Sequence, residues 1–260
     1  MSGPILITGA SGGIGREFAR LHACNCDHLI LLGRTQAHLD ALKAELERGN
    51  KDLKVDVLAK DLSKPGAADE VYEMTSKRGI KPGYLINNAG FGDFGEFADA
   101  KWNKIEHMMY LNMITVSRLT QLYAKDMVKE GKGRIMNVAS IGAFVPGPLM
   151  AVYYATKAYV LHFTEALQVE TANMEVRLMS LLPGAVWTNF AHVAREVTKD
   201  KAQYKESMMS PKECVDIALR DFKRGKKVCV TGNWNRFTTF LARILPREVM
   251  RRIAQRNINH

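Results

Sequence analysis

The alternation of two kinds of segment constrains the fold of this 260-residue chain more than any other feature. Short apolar runs rich in β-branched residues predict seven strands, at residues 5–8, 28–32, 54–59, 84–87, 133–139, 175–182 and 227–231. Between them lie segments with apolar residues at helical spacing, near 14–23, 36–48, 67–77, 101–129, 150–171 and 212–223. Such alternation predicts the α/β class, with a doubly wound seven-stranded parallel sheet and helices on both faces.

A glycine-rich turn directly follows the first predicted strand. Gly9, Gly13 and Gly15 stand between that strand and the first predicted helix, at the spacing Gly-x-x-x-Gly-x-Gly. In such a unit the backbone N–H groups and the positive helix terminus receive a pyrophosphate, so the turn predicts a dinucleotide site. Glycine-rich turns also arise for backbone reasons alone, and the turn by itself leaves that alternative open.

A second pattern brings a phenol close to an ammonium group. Tyr153 and Lys157 are four residues apart in an apolar helical stretch, so both project from one helix face. A nearby cation favours the phenolate and lowers a tyrosine pKa from its usual value of about 10. Such a phenol can protonate a carbonyl oxygen near neutral pH, although the same spacing also recurs by chance in amphipathic helices. Tyr154 and Tyr159 have no lysine four residues further on, and we expect them to pack or face a subunit interface.

In order and spacing, these motifs resemble those of the short-chain dehydrogenase/reductase family in its shorter form, and the resemblance covers nearly the whole chain. The matching segments are residues 8–15, Asn87-Asn-Ala-Gly90, Asn112, Ser140, Tyr153-x-x-x-Lys157 and Pro183-Gly184. The resemblance implies a Rossmann-type fold and an oxidoreductase that uses a nicotinamide cofactor. We therefore expect residues 1–260 to form a single dinucleotide-binding and catalytic domain, with a substrate lid at 185–209.

The resemblance also implies roles for individual residues. Tyr153 would be the acid/base, Ser140 would hold the substrate oxygen, and Lys157 would bind the nicotinamide ribose and depress the phenol pKa. Asn112 would hold a water against the lysine through its main chain, or it is simply a polar residue at a helix kink. The cofactor would contact Gly9, Ser11, Gly13, Ile14, Gly15, Arg34, Thr35, Asp61, Leu62, Asn88, Ala89, Gly90, Tyr153, Lys157, Pro183, Gly184, Val186 and Thr188. No metal is expected, because the proton donors take the place of a Lewis acid.

The residues after the second predicted strand indicate which nicotinamide cofactor is used. An NAD-preferring site generally has an acid there for the ribose hydroxyls, whereas this chain has Arg34 followed by Thr35. A guanidinium at this position suits the 2′-phosphate of NADP(H), with Thr35 as a second contact, unless Arg34 is a solvated loop residue. Asp61 would contact the adenine amino group by the resemblance, or it merely caps the turn that follows.

The segments expected around the substrate are largely apolar. They are residues 91–94, 141–149 and the lid. A carbonyl on a hydrophobic skeleton is the predicted substrate, with a 3-oxoacyl thioester as the leading hypothesis and a general ketone or steroid as the alternative. A non-catalytic NADP-sensing protein is a further alternative, which the intact Ser140, Tyr153 and Lys157 argue against.

The end of the chain is strongly basic. Residues 234–260 contain six arginines and one acid, Glu248, and so carry half of the net charge of +10. Apolar residues on both sides of Pro246 predict two short basic amphipathic helices. Such helices could lie on an anionic membrane, receive an acidic carrier protein, or pack their apolar stripe on the body or on a partner subunit. No nucleic-acid-binding motif accompanies the charge, so no nucleic acid partner is expected.

Two further expectations concern location and assembly. The chain lacks a charged segment followed by an apolar run near its N-terminus, and it lacks an apolar run of roughly 18 residues. We therefore expect a cytoplasmic protein. The predicted long helices at 101–129 and 150–171 are apolar on more than one side, which predicts a homodimer or homotetramer.

Overall fold

A seven-stranded parallel sheet forms the centre of the computed structural model, which describes residues 3–188, 190 and 208–256. The strands are β1 (Ile5–Thr8), β2 (His28–Gly33), β3 (Lys54–Ala59), β4 (Tyr84–Asn87), β5 (Gly133–Val138), β6 (Val176–Leu182) and β7 (Val228–Val230). Their order is β3-β2-β1-β4-β5-β6-β7, and each neighbouring pair is parallel. The predicted doubly wound α/β fold is confirmed.

Helices cover both faces of this sheet. They are α1 (Gly13–Ala23), α2 (Gln36–Gly49), α3 (Ala67–Lys77), α4 (Trp102–Met109), α5 (Val116–Lys129), α6 (Ala151–Glu170), α7 (Pro211–Lys223), α8 (Asn233–Ile244) and α9 (Arg247–Arg256). Successive strand residues point to opposite faces, so Ile5 and Ile7 join one core cluster with Phe18 of α1, and Leu6 joins another with Tyr123 of α5. Burial on both faces explains why the strands read as continuous apolar runs.

The predicted helix at 101–129 is interrupted in the structure. A π-helical segment, Tyr110–Thr115, separates α4 from α5. Within it, Asn112 accepts a hydrogen bond from Phe91 N at 3.2 Å and donates one to Phe91 O at 2.9 Å. These bonds require the asparagine to face the loop after β4, and the wider turn accommodates that orientation. The predicted kink at Asn112 is therefore a π-helical turn.

A buried histidine gives the core a dependence on pH. The ring of His22 is 1 % exposed and lies edge-on to Tyr84, and burial lowers its pKa from 6.5 to about 4. Since only the unfolded chain binds the proton between these values, the free energy of unfolding should fall as pH falls from 6.5 to about 4. The loss should total roughly 3 kcal/mol. Urea unfolding across this range should show it, and His22→Phe should show a smaller fall; an equal fall in both would contradict the assignment.

The basic end of the chain forms two helices, as predicted. Pro246 follows the end of α8, and α9 begins at the next residue. Residues 257–260, which the prediction also included, lie outside the described residues. Among the residues that are described, no helix has both the length and the apolar character needed to cross a membrane.

Candidate active site

A cavity of about 380 Å³ opens at the carboxyl edge of the sheet, where the strand order changes direction between β1 and β4. Ligands of open α/β sheets bind in this crevice, because the loops from neighbouring strands diverge there. All but two of the predicted cofactor residues line the cavity: Gly9, Ser11, Gly13, Ile14, Arg34, Asp61, Leu62, Asn88, Ala89, Gly90, Tyr153, Lys157, Pro183, Gly184, Val186 and Thr188.

The two exceptions are Gly15 and Thr35. Gly15 is buried beneath the turn, where a Cβ would run into Gly9 O, so it supports close helix packing instead of touching a ligand. Thr35 is exposed at the start of α2 and does not line the cavity. Its predicted contact with a phosphate stays a prediction.

The turn between β1 and α1 has the geometry of a phosphate cradle. Gly9 and Gly13 have φ values of +66° and +48°, which favour glycine. Gly12 precedes α1 without a side-chain cap, so the first backbone N–H groups of the helix remain open to a ligand. Asn88 stabilises the start of the turn, because its Nδ2 donates a hydrogen bond to Thr8 O at 3.0 Å. These residues fit the pyrophosphate of a dinucleotide.

Ser140, Tyr153 and Lys157 also line the cavity. Ser140 lies before a short 3₁₀ turn, Ile141–Phe144, and its Oγ accepts a hydrogen bond from Gly142 N at 3.1 Å. The Ser140 side chain is close enough to the Tyr153 hydroxyl to lower the pKa of the phenol. Lys157 Nζ lies 5.7 Å from the centre of the Tyr153 ring and donates to Val138 O at 2.8 Å. The structure thus brings together the three side chains that the sequence motifs identified.

The pKa of Tyr153 shifts in the direction opposite to the predicted one. Burial raises the pKa above its ordinary value, and the nearby Ser140 side chain lowers it by less. Burial also lowers the pKa of Lys157 to about 8. In this structure, removal of the phenolate from water outweighs any attraction by the ammonium, and the expected effect of Lys157 on the phenol pKa stays a prediction. At neutral pH Tyr153 is therefore a neutral phenol, which is the proton-donating form.

Asn112 lies behind the site and does not line the cavity. In addition to its two bonds with Phe91, its Nδ2 donates to Thr156 Oγ1 at 3.1 Å. A Cβ on Gly90 would lie 3.1 Å from Asn112 Oδ1 and 3.3 Å from Lys157 Nζ. The side chain of Asn112 therefore fixes the loop after β4 beside the lysine, while its proposed water-holding role stays a prediction.

Arg34 and Asp61 also line the cavity. Arg34 is exposed, and Asp61 accepts hydrogen bonds through one oxygen from Ser63 N at 3.0 Å and Ser63 Oγ at 2.8 Å. Burial raises the Asp61 pKa, but these bonds and the nearby Arg34 outweigh it and keep the pKa below its ordinary value. Asp61 therefore caps the turn, as the alternative reading expected, while its carboxylate also borders the cavity.

Several lining residues were not predicted. They are Gly12, Gly33, Lys60, Leu111, Val138 and Ala139. Most of them are immediate sequence neighbours of predicted residues. Adjacency in the sequence is therefore the feature from which they could have been predicted. Lys60 adds a second cation beside Arg34, although its ammonium also pairs with Glu70.

The predicted lid is described only at its ends. Val186 pairs with Met209, and Trp187 N donates to Met209 O at 3.0 Å. The ring of Phe190 lies 5.2 Å from that of Tyr153 and lines the cavity. Residue 189 and residues 191–207 lie outside the described residues, so most of the lid stays a prediction.

The loop at Pro183-Gly184 is backed by the first turn of α8. The amide of Asn235 fills the space that a side chain at Gly184 would occupy. Asn235 Nδ2 in turn donates to Thr231 O at 2.7 Å, and Gly184 N donates to Thr231 Oγ1 at 3.4 Å. The first turn of α8 therefore supports one wall of the cavity from behind.

Together, the fold and the glycine turn define a dinucleotide-binding α/β protein with a serine, a tyrosine and a lysine beside the cofactor site. The family model described as short chain dehydrogenase matches residues 4–199, and the chain belongs to this family of oxidoreductases. Its cofactor is accordingly a nicotinamide dinucleotide.

Individual relatives agree with this membership. The chain is 30% identical to the human very-long-chain 3-oxoacyl-CoA reductase over 83% of this chain and 69% of that protein. It is 28% identical to the 7beta-hydroxysteroid dehydrogenase of Collinsella aerofaciens over 86% of this chain and 84% of the relative. Among solved structures, a short-chain dehydrogenase from Sphingobium yanoikuyae in complex with NADPH is 30% identical, with a TM-score of 0.81 over 94% of this chain and 96% of that one.

Proposed function

We propose that this protein is an NADPH-dependent reductase that converts a carbonyl on a hydrophobic substrate to an alcohol. The observation that carries the proposal is the meeting of Ser140, Tyr153 and Lys157 beside a cavity that fits a dinucleotide. The cofactor, when bound, supplies the hydride. Ser140 and Tyr153 then stabilise the developing charge on the carbonyl oxygen, and Tyr153 delivers the proton.

Tyr153 lies between two cavities, which leaves room for the cofactor on one side and the substrate on the other. The second cavity measures about 520 Å³, and its lining combines apolar side chains with charged ones: Phe94, Phe97, Leu149 and Met150 with Asp93, Glu96, Asp99, Lys101 and Lys104. The apolar side chains favour a substrate with a hydrophobic skeleton, and one of the chain's relatives is named for 3-oxoacyl-CoA reduction. We therefore place a 3-oxoacyl thioester first and a steroid or other bulky ketone second, since another relative is a 7beta-hydroxysteroid dehydrogenase.

The substrate proposal is tested by measuring NADPH oxidation with 3-oxoacyl-CoA thioesters of increasing chain length, keto-steroids and simple aliphatic ketones. Tyr153→Phe measures the background rate. We expect kcat/KM to be highest for a 3-oxoacyl thioester. A higher value for a keto-steroid would favour the second candidate. Tight NADPH binding without turnover of any carbonyl would instead favour a protein that senses NADP.

The preference for NADPH is attributed to Arg34, which is exposed at the cavity edge. Arg34→Asp should lose a charge-assisted bond to the 2′-phosphate and weaken NADPH binding by about 10–100-fold, while NADH binding changes little. Fluorescence titration with both cofactors would measure this. Arg48→Asp makes the same charge change on an exposed residue outside the cavity and should leave the preference intact. Equal binding of NADH and NADPH by the wild type would contradict the assignment.

We also propose that residues 1–260 act as one domain and assemble as a homodimer or homotetramer. Large apolar side chains remain exposed on α5 and α6, including Val128 at 42 %, Tyr159 at 39 % and Val169 at 74 %. Pairing of these helices across a two-fold axis would bury them. Light scattering at micromolar concentration should give two or four times the mass of one chain, and the mass of a single chain would exclude the proposal.

A further inference from the structure

One face of α8 consists of large apolar side chains that nothing in the described part of the chain covers. The α8 apolar face comprises Trp234, Phe237, Phe240 and Ile244, which are 73 %, 52 %, 61 % and 61 % exposed. Their spacing of three, three and four residues places them along one side of the helix. Four such side chains in a row form an apolar patch of the kind that marks an interaction surface.

Another side of α8 contacts the rest of the protein, and these contacts leave the apolar face directed towards solvent. Arg236 Nη2 lies 3.3 Å from the carboxylate of Asp221, a residue that is 1 % exposed. Arg236 Nε also donates to Val230 O at 3.0 Å, and Thr239 is buried. Within the stripe predicted on α8, Leu241 and Leu245 are half-buried, whereas Phe237, Phe240 and Ile244 stay exposed. Packing on the described part of the body therefore covers only part of the stripe.

The segment that carries this surface is rich in arginine. Six arginines and one acid from residue 234 onward give the segment a net charge of +5. The guanidinium of Arg243, near the end of α8, lies 4.7 Å from the centre of the Phe144 ring. On α9, Arg251 and Arg252 share Glu248, and Val249 and Ile253 add exposed apolar area. The surface thus combines bulky apolar side chains with excess cations.

Charge and shape together select one kind of partner. A second copy of the same surface would bring two segments of charge +5 together, which electrostatic repulsion disfavours. An acidic protein would satisfy the arginines, but it would also need an apolar groove matched to four bulky side chains along one side of a helix. An anionic lipid interface satisfies both, because aromatic rings settle at the headgroup level and arginines pair with the headgroups. We propose that α8 and α9 dock this protein on an anionic lipid surface through the α8 apolar face.

Sedimentation of the full-length protein with vesicles tests the proposal. Vesicles of equal parts phosphatidylglycerol and phosphatidylcholine should bind the protein, and binding should fall as ionic strength rises. Vesicles of phosphatidylcholine alone should bind it far less. Phe237→Ser combined with Phe240→Ser should weaken binding at least about tenfold, because both rings would lose apolar contact. Arg247→Gln combined with Arg252→Gln should weaken it about fivefold per arginine.

Matched controls separate a specific surface from general stickiness. Lys51→Gln with Lys132→Gln removes the same charge from exposed positions outside the C-terminal helices, and Met174→Ser removes a side chain that is 47 % exposed elsewhere. Both controls should bind vesicles as the wild type does. Circular dichroism would confirm that every variant is folded. Trp234 fluorescence should shift to shorter wavelength on anionic vesicles, and Trp234→Phe should lose the shift while still binding.

Several outcomes would overturn the proposal. One is an absence of vesicle binding at low ionic strength, and another is undiminished binding by the Phe237 and Phe240 double variant. If that variant instead dissociates an oligomer that ignores lipid, the surface belongs to a second copy. Binding to an acidic carrier protein without binding to vesicles would assign it to that partner. None of these readouts requires turnover, so the result is independent of the proposed enzymatic function.

Discussion

Replacing Tyr153 by phenylalanine is expected to lower kcat for carbonyl reduction by about 10²–10⁴-fold, because the substitution removes only the proton donor. The ring keeps its contacts with Phe190 and Tyr154, so the cavity keeps its shape. NADPH affinity should change little. Single-turnover kinetics with a fixed concentration of carbonyl substrate would separate the chemical step from cofactor binding.

The adjacent tyrosine provides the control for this experiment. The Tyr154 ring packs against Gly142 and Gly147, and a phenylalanine there would preserve that packing. Tyr154→Phe should therefore retain nearly wild-type turnover. If Tyr154→Phe were inactive and Tyr153→Phe active, the assignment of the proton donor would be wrong.

The second large effect is expected for Lys157→Met, which should abolish most activity while making the protein more stable. The lysine is 5 % exposed, and burial lowers its pKa from 10.5 to about 8. A buried charge of this kind destabilises the fold by roughly 3 kcal/mol at neutral pH. Methionine removes that cost but also the bond to Val138 O, worth about 1–2 kcal/mol, so the net gain should be roughly 1–2 kcal/mol. NADPH binding should weaken about 10–100-fold if the ammonium holds the ribose.

The pH dependence of stability distinguishes this explanation from simple repacking. Because the folded-state pKa of Lys157 is the lower one, only the unfolded chain binds a proton between pH 8 and pH 10.5. The lysine's contribution to the free energy of unfolding should therefore rise with pH through that window. In denaturant unfolding, the difference in the free energy of unfolding between the wild type and Lys157→Met should therefore shift in favour of the wild type across that window. Parallel curves for the two proteins would contradict the assignment.

The sequence predicts the sheet well because its strands are buried on both faces and its turns carry strong signals. Every predicted strand is present, with bounds that differ by one residue at most at each end. The interruption at Tyr110–Thr115 is harder to predict, since an apolar helical pattern continues through it. Only the contacts of Asn112 with a loop distant in sequence explain why the helix widens there.

For the site, the sequence predicts which residues meet but not the balance of forces among them. Helical spacing is sufficient to place Tyr153 and Lys157 on one face. The pKa of the phenol depends in addition on how completely the surrounding chain excludes water, which spacing does not encode. The bonds of Asp61 with Ser63, two residues away, are local, and the sequence therefore predicts them as an alternative role for Asp61.

The contact between Gly184 and Asn235 has a consequence for how relatives of this protein diverge. The two residues share one small volume, since the amide of Asn235 fills the place of a side chain at position 184. Enlarging either residue alone would force the loop into the cavity or lift the first turn of α8. In an alignment of relatives, position 184 should therefore gain a side chain only where position 235 becomes small. The two positions would then vary as a correlated pair, although 51 positions separate them in the sequence.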